Sequence, residues 1–165
     1  AYYLKQTNKQ HPLKEEIINN YETNINKLIP AISQNLNDKK IFYQKHMTHH
    51  ILKKTPLNWL TSGTNCFLIR DPKDVLLLYA KKNNIIKSDD IGFLMQIKLF
   101  NFIKNGNFPK IVINADDLSK NQKMVLKILC KKLEIKFSEK MLKWPKGPRT
   151  SDGIWEKIWY QDVKS

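Results

Sequence analysis

Cysteine, glycine, arginine and long apolar runs are all scarce in this chain. Its 165 residues hold two cysteines, Cys66 and Cys130, each inside an apolar segment and without CxxC spacing. That excludes a disulfide framework and points to a reducing cytoplasm. The longest greasy run, Val75 to Ala80, falls far short of the roughly 18–20 residues a membrane span needs, and no charged-then-apolar leader opens the chain. No membrane partner is therefore expected. With 5 glycines and 7 prolines there is no low-complexity stretch, linker or internal repeat, so residues 1–165 read as one domain.

Acidic residues are also few. The formal charge is +14, nearly all of it lysine, with arginine only at 70 and 149. Such an excess suits a polyanion: nucleic acid, an acidic membrane surface or a nucleotide-like molecule. Its distribution argues against specific nucleic-acid binding. The lysines are scattered as pairs at the ends of apolar segments (Lys39-Lys40, Lys53-Lys54, Lys81-Lys82, Lys131-Lys132) and do not form arginine-rich clusters with interleaved aromatics. Hydrophobic residues at 41% and charged residues at 27% describe a globular chain with a core. Oligomeric state is not encoded in any pattern here.

The order of elements follows from periodicity and punctuation. His11-Pro12-Leu13 opens a helix with Glu15 and Glu16 in its first turn, and Ile17, Ile18, Tyr21, Ile25, Leu28 and Ile29 continue it toward Pro30. Ile41 to Gln44 reads as a short strand, Cys66 to Arg70 as a second and Lys110 to Asn114 as a third. Asp71-Pro72 starts a helix through Lys82, and Ser88 starts another that runs to Asn105-Gly106. Ser119-Lys-Asn-Gln122 has capping-box spacing before a stripe of Val125, Ile128, Leu129 and Leu133. Strands alternating with helices predict an α/β fold with a small parallel sheet flanked by helices. The tail from Trp144 to Ser165 reads as irregular with a short helix.

Ligands in open α/β sheets gather at the carboxyl ends of the strands. Arg70 ends one strand beside the start of the next helix, where a guanidinium and unpaired N–H groups suit a phosphate; a surface carboxylate is the alternative partner. Three histidines, His46, His49 and His50, crowd the end of the preceding strand. They lack the nearby Cys, Asp or Glu that would complete a zinc shell, so no metal is expected. His46, nearest the strand end, is either structural or a neutral base for a hydroxyl or amine. The loop Lys143–Trp155 mixes cations with Pro and Gly; it either closes over an anion or is a surface tail pinned by its aromatics.

Three segments, QKHMTHHIL from Gln44, FLIRDPKDVLLLYAKK from Phe67 and MLKWPKGPRTSDGIWEKIWY from Met141, together resemble the bacterial sulfotransferase-like proteins of the P-loop fold. Similar domains occur beside branched-chain aminotransferase-like domains in plants. The resemblance spans the chain and implies a three-layer fold and transfer of a sulfuryl group from 3′-phosphoadenosine 5′-phosphosulfate (PAPS), as donor substrate, to a hydroxyl or amine of a small molecule. It implies that Arg70 holds the nucleotide 3′-phosphate, that His46 is the base with Lys45 beside it as a second catalytic candidate, and that Lys146, Gly147 and Arg149 close over the nucleotide. Gln44 stands where the family often has lysine. Leu78 stands where a phosphate-binding serine is common. The family's donor loop would precede Ala1, so the resemblance further implies a domain truncated at both ends, its first strand and donor loop missing and its catalysis impaired. The alternative is a non-catalytic nucleotide-binding or scaffold relic of the same fold. No lysine stands in a pyridoxal-phosphate context, so aminotransferase chemistry is not expected.

Overall fold

A computed structural model describes residues 1–34, 41–81, 87–143, 145, 147 and 152–154. The chain divides into two compact units, residues 1–28 with 138–165, and residues 29–137.

In the first unit, α1 (Tyr2–Thr7) ends on Asn8, which takes the left-handed conformation at φ 53°. α2 (Lys14–Asn20) follows the Pro12 turn with Glu15 and Glu16 in its first turn, where they meet the positive end of the helix dipole. Leu4 on α1 and Ile17 on α2 are buried. The long helix expected toward Pro30 is two helices. Tyr21 leaves helical geometry at φ −127° and ψ 149°. The Glu22 carboxylate then accepts from the Thr23 and Asn24 N–H groups at 2.8 and 2.7 Å, and the Asn24 side chain accepts from the Asn26 N–H at 2.9 Å. Local side-chain acceptors out-compete the helical ladder here and start α3 (Ile25–Ile32) afresh, a helix whose residues from Ile29 on are counted with the second unit. A short 3-10 turn, Glu139–Met141, is capped by the Ser138 hydroxyl.

The second unit carries the sheet. β1 (Asn65–Ile69) and β2 (Lys110–Asn114) pair in parallel, in register from Asn65 opposite Lys110 to Ile69 opposite Asn114. Between them lie α4 (Pro72–Ala80), α5 (Ser88–Ile91) and α6 (Phe93–Asn105); α7 (Ala115–Lys120) and α8 (Gln122–Lys132) follow β2. The fold is thus α/β, with a small parallel sheet flanked by helices. Ile51, Trp59, Leu60, Phe67, Leu99 and Ile103 form the core, and Ile29, Ile32, Leu57, Met95, Phe100 and Phe108 pack around it. The Phe67 and Phe100 rings meet edge to face at 5.4 Å, a favoured aromatic geometry.

Three further expectations are corrected. Ile41 to Gln44 is not a strand: among the described residues the sheet has two strands, and Ile41, Phe42 and Tyr43 are 68%, 49% and 81% exposed. A β-favouring run becomes a strand only where a ladder partner accepts it. The helix expected from Ser88 to Asn105 breaks at Gly92, which sits at φ 72° and separates α5 from α6. The Ser119 capping box does not form. The Ser119 hydroxyl donates back to the Ala115 carbonyl at 2.9 Å, and Asn121 caps α8 by accepting from the Met124 N–H at 3.2 Å. The helical periodicity of α8 was unaffected, because a cap two residues later leaves its apolar stripe in phase. Most of the tail from Trp144 to Ser165 lies outside the described residues.

Candidate functional site

β1 stops at Ile69 because Asp71 and Pro72 start a helix at once. The Asp71 carboxylate accepts from the Lys73 N–H at 2.8 Å, and Pro72 supplies a preset φ at the first helical position. β2 ends in the same way. The Asn114 side chain accepts from the Asp116 N–H at 2.8 Å and opens α7. Since Ile69 and Asn114 are register partners, the two strand ends and their two helix starts stand side by side.

Arg70 follows directly after β1. Its Nε lies 3.6 Å from an Asp116 carboxylate oxygen and 3.9 Å from one of Asp74, with its side chain 40% exposed. Each strand-end helix therefore presents one carboxylate to the guanidinium. Such exposed pairs contribute about 0–1 kcal/mol each, so an anion can compete for this cation. The helix start beside it differs from the expectation of unpaired N–H groups. Pro72 has none, the Lys73 N–H is held by Asp71, and the Val75 N–H bonds the Asp71 carbonyl at 3.2 Å. The helix start is thus largely satisfied from within.

The histidine segment is anchored by side chains instead of a ladder. The Gln44 amide nitrogen donates to the Ile32 carbonyl at 2.7 Å, and its oxygen lies 2.9 Å from Nε2 of His46. The His46 ring rests against Trp59, with ring centres 4.7 Å apart, yet the residue keeps access to solvent. Loss of water around the ring pushes the His46 pKa below its ordinary value, so its neutral form prevails at pH 7. Lys45 beside it is exposed. The chain then enters a 3-10 turn, Thr48–His50, in which the His49 and His50 rings meet at 4.2 Å, edge to face. Among the described residues, no three His, Cys, Asp or Glu side chains are grouped so as to hold a metal ion.

A single turn of α6 ties these two regions together. The Thr48 hydroxyl donates to the Gly92 carbonyl at 3.0 Å, and the Gln96 amide donates to the Leu68 carbonyl at 2.8 Å. Gly92 and Gln96 are themselves joined by the first backbone hydrogen bond of the helix, at 2.9 Å. The histidine segment and the strand end that carries Arg70 thus attach to residues four apart, on one helical turn.

Sequence reasoning missed Gln96, Gly92 and Asp116, and read Gln44 only as a departure from lysine. The one available signal was a glycine interrupting the apolar helical pattern DDIGFL. Of the residues expected to close over the nucleotide, Lys146 and Arg149 lie outside the described residues. Gly147 belongs to the first unit and takes φ 96°, a left-handed conformation that glycine adopts without strain. Leu78, on α4, is 48% exposed and offers no hydrogen-bond donor.

No helix among the described residues is long and apolar enough to cross a membrane. No solved structure matches the chain. Two curated proteins of Arabidopsis thaliana are similar to it. Branched-chain-amino-acid aminotransferase-like protein 1 is 30% identical over 163 residues and its namesake, protein 2, 29% identical over 163 residues, each match covering 99% of this chain. The chain spans 29% of the length of either relative. A family profile described as "Sulfotransferase domain" matches residues 1–165. The chain belongs to the sulfotransferase domain family.

Proposed function

We propose that the chain transfers a sulfuryl group from PAPS to a hydroxyl or amine of a small molecule, with Arg70 gripping the nucleotide 3′-phosphate and His46 acting as base. The observation that carries this reading is the shared α6 turn, Gly92 to Gln96, to which both Thr48 of the histidine segment and Leu68, two residues before Arg70, are hydrogen-bonded. Family membership supplies the reaction class. The acceptor oxygen or nitrogen attacks sulfur, forming one bond, while the bond from sulfur to the 5′-phosphate oxygen breaks. The electron pair leaves with 3′,5′-adenosine diphosphate. His46 takes the acceptor's proton as the nucleophile gains positive charge. Charge spreads over the moving oxygens, so positioning and cations supply most of the rate enhancement. Lys45 is proposed as a second catalytic group beside His46, Lys146, Gly147 and Arg149 are proposed to bind the nucleotide, and a cytoplasmic location is part of this reading.

A second reading, a non-catalytic nucleotide-binding or scaffold domain, is favoured by one feature. Arg70 already faces two carboxylates beside a largely satisfied helix start, and the exposed Leu78 adds no donor. The aminotransferase in the plant relatives' names is not proposed for this chain, which spans 29% of the length of either.

Turnover separates the two readings. The full-length protein is incubated with PAPS and a panel of phenols, alcohols and amines, and 3′,5′-adenosine diphosphate and sulfated product are quantified by mass spectrometry. The enzyme reading expects acceptor-dependent product that falls by about 100-fold or more in His46→Gln, the usual scale for a general base. Equal turnover in His46→Gln removes His46 as base, and no product from any acceptor favours the scaffold.

A further inference from the structure

We infer that Gln44 is a positioning residue that fixes His46 as its Nε2–H tautomer, leaving Nδ1 as the atom that receives the acceptor's proton. This inference rests on the proposed role of His46 as base. The argument starts at Ile32. Its backbone carbonyl can only accept a hydrogen bond, so the Gln44 group 2.7 Å from it must be the amide nitrogen. The amide cannot turn over without placing oxygen against oxygen. Its Oε1 is thereby committed to His46, where Nε2 stands 2.9 Å away. A carbonyl-type oxygen accepts, so Nε2 must carry the hydrogen. In the neutral ring, only one nitrogen is protonated, and the lone pair falls on Nδ1.

Two features hold this state in place. Trp59 packs against the ring at 4.7 Å and limits its rotation, and partial burial favours the neutral form over the doubly protonated one that would have no lone pair. Ile32, Gln44, His46 and Trp59 all belong to the second unit, so the relay is internal to it. A lysine at position 44 would reverse the polarity. It could still donate to Ile32 or to the ring, but it has no acceptor for an Nε2–H. Glutamine thus selects which face of the imidazole the acceptor must approach.

Long-range 1H–15N correlation spectra of the ligand-free full-length protein at pH 7.5 test this without any turnover. The expected result is a pyrrole-like Nε2 and a pyridine-like Nδ1 for His46. In Gln44→Met the Nε2–H to Nδ1–H ratio should fall by a factor of about 5, the size of one net hydrogen bond. In Gln44→Lys the two nitrogens should exchange character. A protonated Nδ1 in the wild type overturns the inference even if His46 remains essential for transfer. An unchanged pattern in Gln44→Lys overturns it as well. Retention of transfer by His46→Gln would instead sink the base assignment and leave the tautomer result standing. The wild-type spectrum alone decides the central point should either variant fail to fold.

Discussion

The Thr48 hydroxyl and the Gly92 carbonyl meet at 3.0 Å, and this contact leaves no room for a side chain on the glycine. A Cβ built at residue 92 would lie 2.5 Å from Thr48 Oγ1 and 2.8 Å from the His49 nitrogen. The glycine also needs φ 72° to separate α5 from α6. Gly92→Ala therefore combines a steric clash with a left-handed backbone that L-residues resist. It should destabilise the second unit by about 2 kcal/mol or more, read from urea unfolding. Thr48→Val, which removes only the hydrogen bond, should cost about 1 kcal/mol. Equal, small effects would show that the histidine turn is not docked on α6.

Asp116 and Arg70 make opposite demands on an incoming anion. The carboxylate 3.6 Å from Arg70 Nε neutralises part of the charge a phosphate would use. Asp116→Asn should tighten binding of 3′,5′-adenosine diphosphate about two- to fivefold, the worth of one exposed pair, and the gain should shrink as salt is raised. Weakened binding in this variant would mean that the carboxylate positions Arg70 for its ligand.

Acid should destabilise the fold through His46. Its folded-state pKa is depressed by burial, so below about pH 6.5 the unfolded chain takes up a proton that the folded chain refuses. The stabilising contribution is complete above about pH 6.5 and is lost as pH falls from there through the lower folded value. His11 shifts in the same direction, from its own burial. Comparing the wild type with His46→Phe isolates the first group. The stability difference between the two proteins should change between pH 7.5 and 5, in favour of the variant at the acid end. A pH-independent difference would show that the ring is solvated. In the proposed reaction the acid limb of the rate profile should fall below pH 6.5 for the same reason.

Ile103 is fully buried at the centre of the core. Ile103→Ala should cost about 2–5 kcal/mol, seen as a lower urea midpoint at unchanged slope. A cost below about 1 kcal/mol would show a core that collapses around the gap.

Much of this organisation could be read from residue order alone. Asp71-Pro72 announces a helix start because a cap and a preset φ are local properties, and β1 and β2 are apolar runs bounded by turn residues. The expected strand at Ile41 to Gln44 failed because pairing is a property of the neighbours, not of the run. Asn121 displaced Ser119 as a cap through a competition between two side chains equally suited to the task. The site was readable only in part. Arg70 announced itself at a strand end, but its two carboxylates come from α4 and α7, and residue 116 lies 46 positions away in sequence. Gln44 likewise acts through the Ile32 carbonyl, a backbone atom that no side-chain pattern records.

The grip of Arg70 on the nucleotide is tested most directly by calorimetric titration of 3′,5′-adenosine diphosphate into the full-length protein and its Arg70→Ala variant. Saturable heat from the wild type, with affinity lower by about tenfold or more in the variant, is predicted from the loss of a charge-assisted contact. No heat at millimolar ligand, or the same affinity in both proteins, would contradict it.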